Sequence, residues 1–554
     1  MIDRRIGLLF ASFLVLLCLA VGRAVWVQGI QGAGLAADAQ SQHTETVPVP
    51  GLRGAILDRK GRELAVSEDA VDVVATPYQV KDPPRVARRL APILHTSSGD
   101  IVHALSSGSP GFAYLAREVD LSAGAKIRRL GLPGITTVPS SRRIYPEGKL
   151  AGQVIGTVGI DGQGLTGLEE SKNSILAASN GQQRVVLDGL GKAIERNTVS
   201  TASDGLSIQL TIDAGIQART EQVLAKIART YQPQSATAIV MNPRNAQILA
   251  MADWPTIDPG NPANANTQDL QNMATGFTYE PGSTFKAFTV AGALMEHLVT
   301  PNTVFDLPTE LHVADRTISD AEPRPPESLT VAQILAQSSN VGAVKIGLEL
   351  GADRFYKWVR TFGFGKPTGV AFPGEEQGIV PTPSQFSGST MGNLPMGQGL
   401  SVTPMQMVAG YSAIADGGIL RAPQLILKDG GERVREPGGH RVISQQTASQ
   451  LRTMLEGVLA PGGTASEVSV PGYTLAGKTG TAQIAENGTY SDTKFVASFV
   501  GFAPAQDPRL LVAVVVNQPQ GSHYGGSVAA PAFGQIARFA LPYLHIPPDQ
   551  KGAG

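Results

Sequence analysis

Cysteine is almost missing. Cys18 is the only one in 554 residues, so no intramolecular disulfide can form. It lies between Leu16, Leu17 and Leu19 rather than among the small residues a lipoprotein site wants. Eight histidines are scattered, none in an H-E-x-x-H or C-x-x-C setting, so neither a metal nor another cofactor is expected. A surplus of one charge is missing too: 45 basic residues stand against 46 acidic ones, which argues against a nucleic-acid binder. There is no internal repeat and no long polar tract, and hydrophobic residues make up 42% of the chain, so it folds rather than staying disordered. Its length exceeds what one hydrophobic core serves and implies about two to four domains.

One long hydrophobic run is present. Residues 6 to 22, IGLLFASFLVLLCLAVG, continue into AVWVQGI and are long enough to cross a hydrocarbon core of ~30 Å as a helix. Arg4 and Arg5 precede the run, which puts the amino terminus in the cytoplasm and the rest of the chain outside, although Arg23 weakens the asymmetry. Trp26 suits an interfacial anchor. Ala37-Asp38-Ala39 offers an A-x-A pattern, but it sits too far beyond the run for ordinary signal-peptide cleavage. The expectation is an uncleaved, single-pass anchor in a cell membrane.

Composition then divides the chain. Residues 1–28 hold the cytoplasmic tip and anchor, and 29–52 read as a Gly, Ala, Gln, Thr and Pro linker. Residues 53–205 form a first folded region of mixed α/β pattern that opens with RGAILDRKGRELAVS, where Asp58 to Gly61 make the turn of a β-hairpin. No cluster of nucleophile, base and oxyanion donor occurs there, so it reads as a structural module. Residues 206–545 form the second region, and 546–554 a tail. The second region opens on Asp213 as the N-cap of a helix, followed by a strand pair around Asn242 to Asn245. It ends on three apolar runs, YTLAGKTGTAQI, TKFVASFVGFAPA and RLLVAVVVNQP, and a final helix. Strands at both ends around a helical middle suggest an α+β fold, an antiparallel sheet covered by helices.

Three short stretches in this region carry chemistry. In EPGSTFKAF, Ser283 and Lys286 are three apart, which would put the lysine amine beside the serine oxygen on one helix face. The helix dipole favours a developing alkoxide there, and apolar neighbours such as Phe285 and Phe288 lower a lysine's proton affinity. Alone, the stretch reads more readily as a helix cap followed by a solvated lysine. Ser338-Ser339-Asn340 follows a helical segment and can send a hydroxyl and an amide into a cleft. Lys478-Thr479-Gly480-Thr481 enters a strand, and Gly480 removes a side chain where another backbone must approach.

Together and in this order, the three stretches match the S-x-x-K, S-x-N and K-T-G set of penicillin-binding proteins and class A β-lactamases. The chain resembles the class B penicillin-binding proteins, and most closely the FtsI-like septal transpeptidases. RGAILDRKGRELA, RRIYP at 142–146 and GIDGQGLTGLE look like that family's non-catalytic, dimerisation-type pedestal. EPGSTFK, SSNVG, GQGLSVTPMQM at 397–407, GGTA at 462–465, AGKTGTAQ and YGGSVAAPAFG at 524–534 look like its transpeptidase domain. Ser339 stands where class A β-lactamases have aspartate.

The resemblance implies a serine-type D-Ala-D-Ala transpeptidase that cross-links peptidoglycan stem peptides during septal wall synthesis and is acylated by β-lactams. It makes Ser283 the nucleophile, Lys286 the base of the first step and Ser338 a proton relay. Asn340 would hold the donor peptide amide, and Lys478 would keep the field positive. The Thr479 and Thr481 hydroxyls, with Gly480 between them, would receive the substrate carboxylate, and the backbone N–H groups of Ser283 and Thr481 would form the oxyanion hole. Implied partners are stem peptides on a lipid-linked precursor or nascent glycan strand, and an FtsW-type glycan polymerase with other division proteins. Elongation-type transpeptidase, DD-carboxypeptidase, β-lactamase and catalytically dead scaffold or sensor are the alternatives. No E-x-x-L-N stretch lies between Asn340 and Lys478, with Glu456 to Ala460 the nearest, so slow deacylation is expected.

Overall fold

Helix α1, Ile2–Val25, continues into a π-helical turn, Trp26–Ile30, and has the length and composition of a membrane span. The computed structural model describes residues 2–31, 44–107, 109–187, 193–486 and 488–550. Half of the expected linker, with Ala37-Asp38-Ala39, lies outside these residues, as does the end of the tail.

The chain divides into two compact units. Ser67–Arg142 and Ala178–Gly205 group with Met1–Leu52 in one, and Arg53–Val66, Arg143–Ala177 and Leu206–Gly554 make the other. In the first unit, the part of strand Glu63–Ala75 beyond Val66 pairs antiparallel with Ala113–Asp120, setting Val74 opposite Tyr114. Helix Pro83–Leu94 starts where Asp82 accepts a hydrogen bond from the Arg85 N–H at 3.0 Å. Val73, Ala75, Val86, Leu90, Ile101 and Ile127 form its core.

The second unit includes the hairpin expected at Asp58 to Gly61. The Asp58 carboxylate accepts from the Lys60 and Arg62 N–H groups at 2.7 and 2.9 Å, and Ile56 pairs with Ala65. Beside it Glu169, fully buried, is gripped by Arg53 Nε at 2.6 Å and Arg143 Nε at 2.8 Å. Arg53 also donates to the Glu169 carbonyl at 2.7 Å and to Asn173 Oδ1 at 2.7 Å. RGAIL, RRIYP and GLTGLEES are thus tied together by one carboxylate.

Helix α2, Ala214–Tyr231, is capped by Asp213 as expected and leads into strands β1, Ser235–Asn242, and β2, Gln247–Trp254. Helices α3, Lys286–Met295, α4, Val331–Ala336, α5, Asn340–Leu350, α6, Pro404–Ala415, and α7, Gln445–Glu456, form the middle. Strands β3, Ala476–Glu486, β4, Thr489–Ala503, and β5, Leu510–Asn517, and helix α8, Ala530–Tyr543, complete the unit. The five strands form one antiparallel sheet in the order β2-β1-β5-β4-β3.

Successive residues of a strand face opposite ways, and here both faces are apolar. Ala238, Val240, Val512, Val514 and Phe499 meet Ile216 and Leu224 of α2 and Phe533 and Ile536 of α8. Ile239, Met241, Leu511, Ala513 and Val500 meet the middle helices on the other side, including Phe288 of α3 and Met405 of α6. The sheet is therefore a rigid central layer, and β3 is one of its two edge strands among the described residues.

Candidate active site

Ser283 lies in a 3-10 turn, Gly282–Phe285, that runs directly into α3. It caps neither segment through its side chain. The turn is held by other groups: Thr284 Oγ1 donates to the Pro281 carbonyl at 2.7 Å, Tyr411 Oη to the Thr284 carbonyl at 2.7 Å, and the Gly282 N–H to the Gly397 carbonyl at 2.9 Å. Gly282 itself has φ +54°, which a glycine adopts freely. The Ser283 hydroxyl is half-buried and has no hydrogen-bond partner among the described residues. Its N–H belongs to the opening of the turn, where helical geometry supplies no intrahelical acceptor.

Lys286 is 1% exposed. Its Nζ donates to the Ser338 carbonyl at 2.6 Å and to Asn340 Oδ1 at 2.7 Å, with Ser338 Oγ at 3.4 Å. The amine therefore joins the first two sequence stretches, and its short contacts are with Ser338 and Asn340 rather than Ser283. Burial pushes its pKa down to about 7, opposed by the negative charge of Asp320 and reinforced by Arg324. Ser338 has φ +62°, left-handed backbone that turns its carbonyl towards that amine. Ser339 caps α5 by accepting from the Gly342 N–H at 2.9 Å, and Asn340 Nδ2 donates to the Ser319 carbonyl at 3.0 Å.

The third stretch lies on β3, against the serine turn. A side chain at Gly480 would put its Cβ 2.4 Å from Ser498 Oγ and 3.0 Å from the Pro281 carbonyl oxygen, so only glycine lets strand and turn approach this closely. Lys478 is fully buried, and its Nζ reaches the Thr479 carbonyl at 3.2 Å and Thr479 Oγ1 at 3.4 Å. Burial first, then Lys286, push its pKa well below the ordinary lysine value, which works against the positive field expected of it until an anion arrives. Thr479 Oγ1 lies 2.6 Å from Thr464 Oγ1, and Thr481 Oγ1 accepts from the Gly525 N–H at 3.0 Å.

A serine on a fixed turn, a buried amine of lowered basicity, a serine–asparagine pair and a lysine–threonine strand thus meet in one place. Residues 236–538 match the penicillin binding protein transpeptidase domain, and residues 48–210 the penicillin-binding protein dimerisation domain. The chain belongs to the penicillin-binding protein family. It is 34% identical to the stage V sporulation protein D of Bacillus subtilis, covering 96% of this chain and 84% of that one. It is 32% identical to the peptidoglycan D,D-transpeptidase FtsI of Escherichia coli, covering 100% and 94%. Among solved structures it is similar to penicillin binding protein 3 from Mycobacterium tuberculosis complexed with aztreonam, with a TM-score of 0.71 and 28% identity over 91% of this chain and 98% of that one.

In this penicillin-binding protein several residues near the site carried no sequence signal of their own. Asp320, just after strand Arg316–Ser319, accepts from Ser339 Oγ and from the N–H groups of Asn340 and Val341. Glu280 accepts from the Gly399 N–H at 3.0 Å and from Tyr490 Oη at 3.3 Å. Tyr490 lies at the start of β4, in the stretch ENGTYSD at 486–492, of which Asn487 is outside the described residues.

Proposed function

We propose that this chain is a peptidoglycan D,D-transpeptidase working through an acyl-serine intermediate. The observation that carries the reading is Lys286 Nζ, buried and bonded at once to Ser338 and Asn340, one helical turn after Ser283.

In the first step Ser283 Oγ attacks the carbonyl carbon of the penultimate D-alanine of a stem peptide, and its proton passes to neutral Lys286 Nζ. The oxygen that becomes negative is received by the N–H groups of Ser283 and Thr481, and losing one such donor typically costs about 100- to 1000-fold in rate. The carbon–nitrogen bond then breaks. Ser338 Oγ, 3.4 Å from Lys286 Nζ, relays a proton to the departing D-alanine nitrogen. Asn340 orients the donor amide, and the Thr479 and Thr481 hydroxyls beside Lys478 hold the terminal carboxylate. In the second step the amine of a neighbouring stem peptide attacks the Ser283 ester, forms the new amide and frees the serine. A β-lactam enters the same first step, and the ester it leaves is long-lived. Glu456, the nearest approach to a deacylating glutamate, is taken up instead by Gln506.

Because Lys286 titrates near pH 7, acylation by a penicillin should fall about tenfold for each pH unit below that point, as the free amine is lost. Rates measured from pH 5 to 9 check this. A flat profile across that range rules Lys286 out as the base.

The finer role we take is septal, with the amino terminus cytoplasmic behind Arg4 and Arg5. The support is the likeness of GIDGQGLTGLE and TKFVASFVGFAPA to septal enzymes and the end-to-end similarity to FtsI. An FtsW-type polymerase is the partner this role requires. To test the activity, a donor stem-peptide thioester is supplied with D-amino acids: aminolysis product supports transpeptidation, and hydrolysis alone makes the chain a carboxypeptidase. For the role, a fluorescent fusion should gather at division sites, and an even lateral distribution would make it elongation-type.

A further inference from the structure

We propose that Asp320, with Arg324 behind it, is a positioning residue that clamps the Ser338-Ser339-Asn340 segment in the shape that engages Lys286. This rests on the reading of Lys286 as proton acceptor given above.

The first observation is strain. A non-glycine residue in the left-handed region is strained and persists only where its surroundings hold it. Ser338, with φ +62°, is such a residue, and its carbonyl accepts from Lys286 at 2.6 Å. Both flanks of Ser338 are fixed by the same pair of side chains. On the carboxy-terminal side Asp320, 5% exposed, accepts from Ser339 Oγ at 3.0 Å to each oxygen, from the Asn340 N–H, and from the Val341 N–H at 3.1 Å. On the amino-terminal side Arg324 donates to Gln337 Oε1 at 3.0 Å while pairing with Asp320 at 2.9 Å and Glu327 at 2.9 Å. One ion pair therefore grips residue 337 and residues 339 to 341, with the strained serine between them.

The second observation is charge. Asp320 favours the protonated Lys286 amine and Arg324 disfavours it, in opposite senses from one loop. Lys478 on β3 is the other cation coupled to that amine. The remaining elements packed on α3 turn their nearby cations elsewhere. Lys345 of α5 donates to the Asp306 carbonyl, Lys357 of helix Ala352–Thr361 to Glu296, and Arg452 of α7 to the Ile414 carbonyl. Asp320 and Arg324 thus hold the segment and also set the balance at the amine.

The test measures penicillin acylation against pH with the full chain in detergent. Asp320→Asn keeps the shape of the side chain but loses its charge. It should lower the plateau rate by ~10- to 100-fold, the scale of a misplaced catalytic group, and move the acid limb down by ~0.5 to 1 pH unit. Arg324→Gln should move that limb up by a similar amount. Asp320→Glu should restore the limb to its wild-type position. Opposite shifts distinguish this role from ordinary destabilisation. Equal losses of rate in both variants with the limb unmoved would overturn the clamp, and so would an Asp320→Asn protein with wild-type rate and profile. If Asp320→Asn fails to fold, Arg324→Gln, which leaves the Asp320 cap in place, decides by the direction of its shift. Failure of the wild type to be acylated at all would instead strike the proposed function, leaving the two failures separate.

Discussion

Replacing Lys286 by methionine is expected to slow acylation of Ser283 by ~100- to 10,000-fold, the range a positioned general base supplies. Methionine fills nearly the same volume as lysine but can neither accept the serine proton nor donate to Ser338 and Asn340. Burial already disfavours the charged amine, so removing it relieves a desolvation cost while two acceptors, the Ser338 carbonyl and Asn340 Oδ1, lose their donor. These effects oppose each other, and the thermal midpoint should move little. Rapid-mixing acylation kinetics beside a melting curve read both quantities. A slow variant with an unchanged melt assigns the loss to chemistry, whereas acylation at the wild-type rate would remove Lys286 from the mechanism.

The second large effect lies outside the catalytic residues. Glu169→Ala would leave the buried Arg53 guanidinium, 7% exposed, and that of Arg143, 4% exposed, without the carboxylate that both grip. Removing one partner of a buried ion pair typically costs ~3 to 5 kcal/mol, mostly as the penalty of the stranded charges. The midpoint of the second compact unit should fall by roughly 5 to 10 °C. Exchange of Glu169 for glutamine should cost less, because the amide oxygen can still accept from one arginine. Differential scanning calorimetry of the three proteins tests the order. Equal midpoints would mean that the arginines find other acceptors and that the cluster does not hold the unit together.

Local pattern made much of this fold readable. Alternating apolar runs identified β3, β4 and β5, and Asp213 and the Asn242 to Asn245 turn marked element ends, because each depends on neighbours within a few residues. Ser283 was legible only in company, since Lys286, Asn340 and Lys478 together specify a chemistry that none specifies alone. What stayed hidden is long-range. Nothing about Asp320 in TISDAEPR announces that it will cap a helix beginning 20 residues later. The grip on Glu169 joins residues 116 positions apart. The 3-10 turn that carries Ser283 is set by Tyr411 and Gly397, contributed from far along the chain, and the same distance conceals the burial that weakens Lys478 as a cation.

The decisive bond is an ester at Ser283. Mass spectrometry of the full chain after brief exposure to benzylpenicillin, followed by peptide mapping, tests it most directly. A single added penicilloyl mass, persisting through the digest on the peptide that contains Ser283, is the predicted result. An unmodified chain with intact drug, an adduct on another residue, or hydrolysed drug without a trapped adduct would each contradict it.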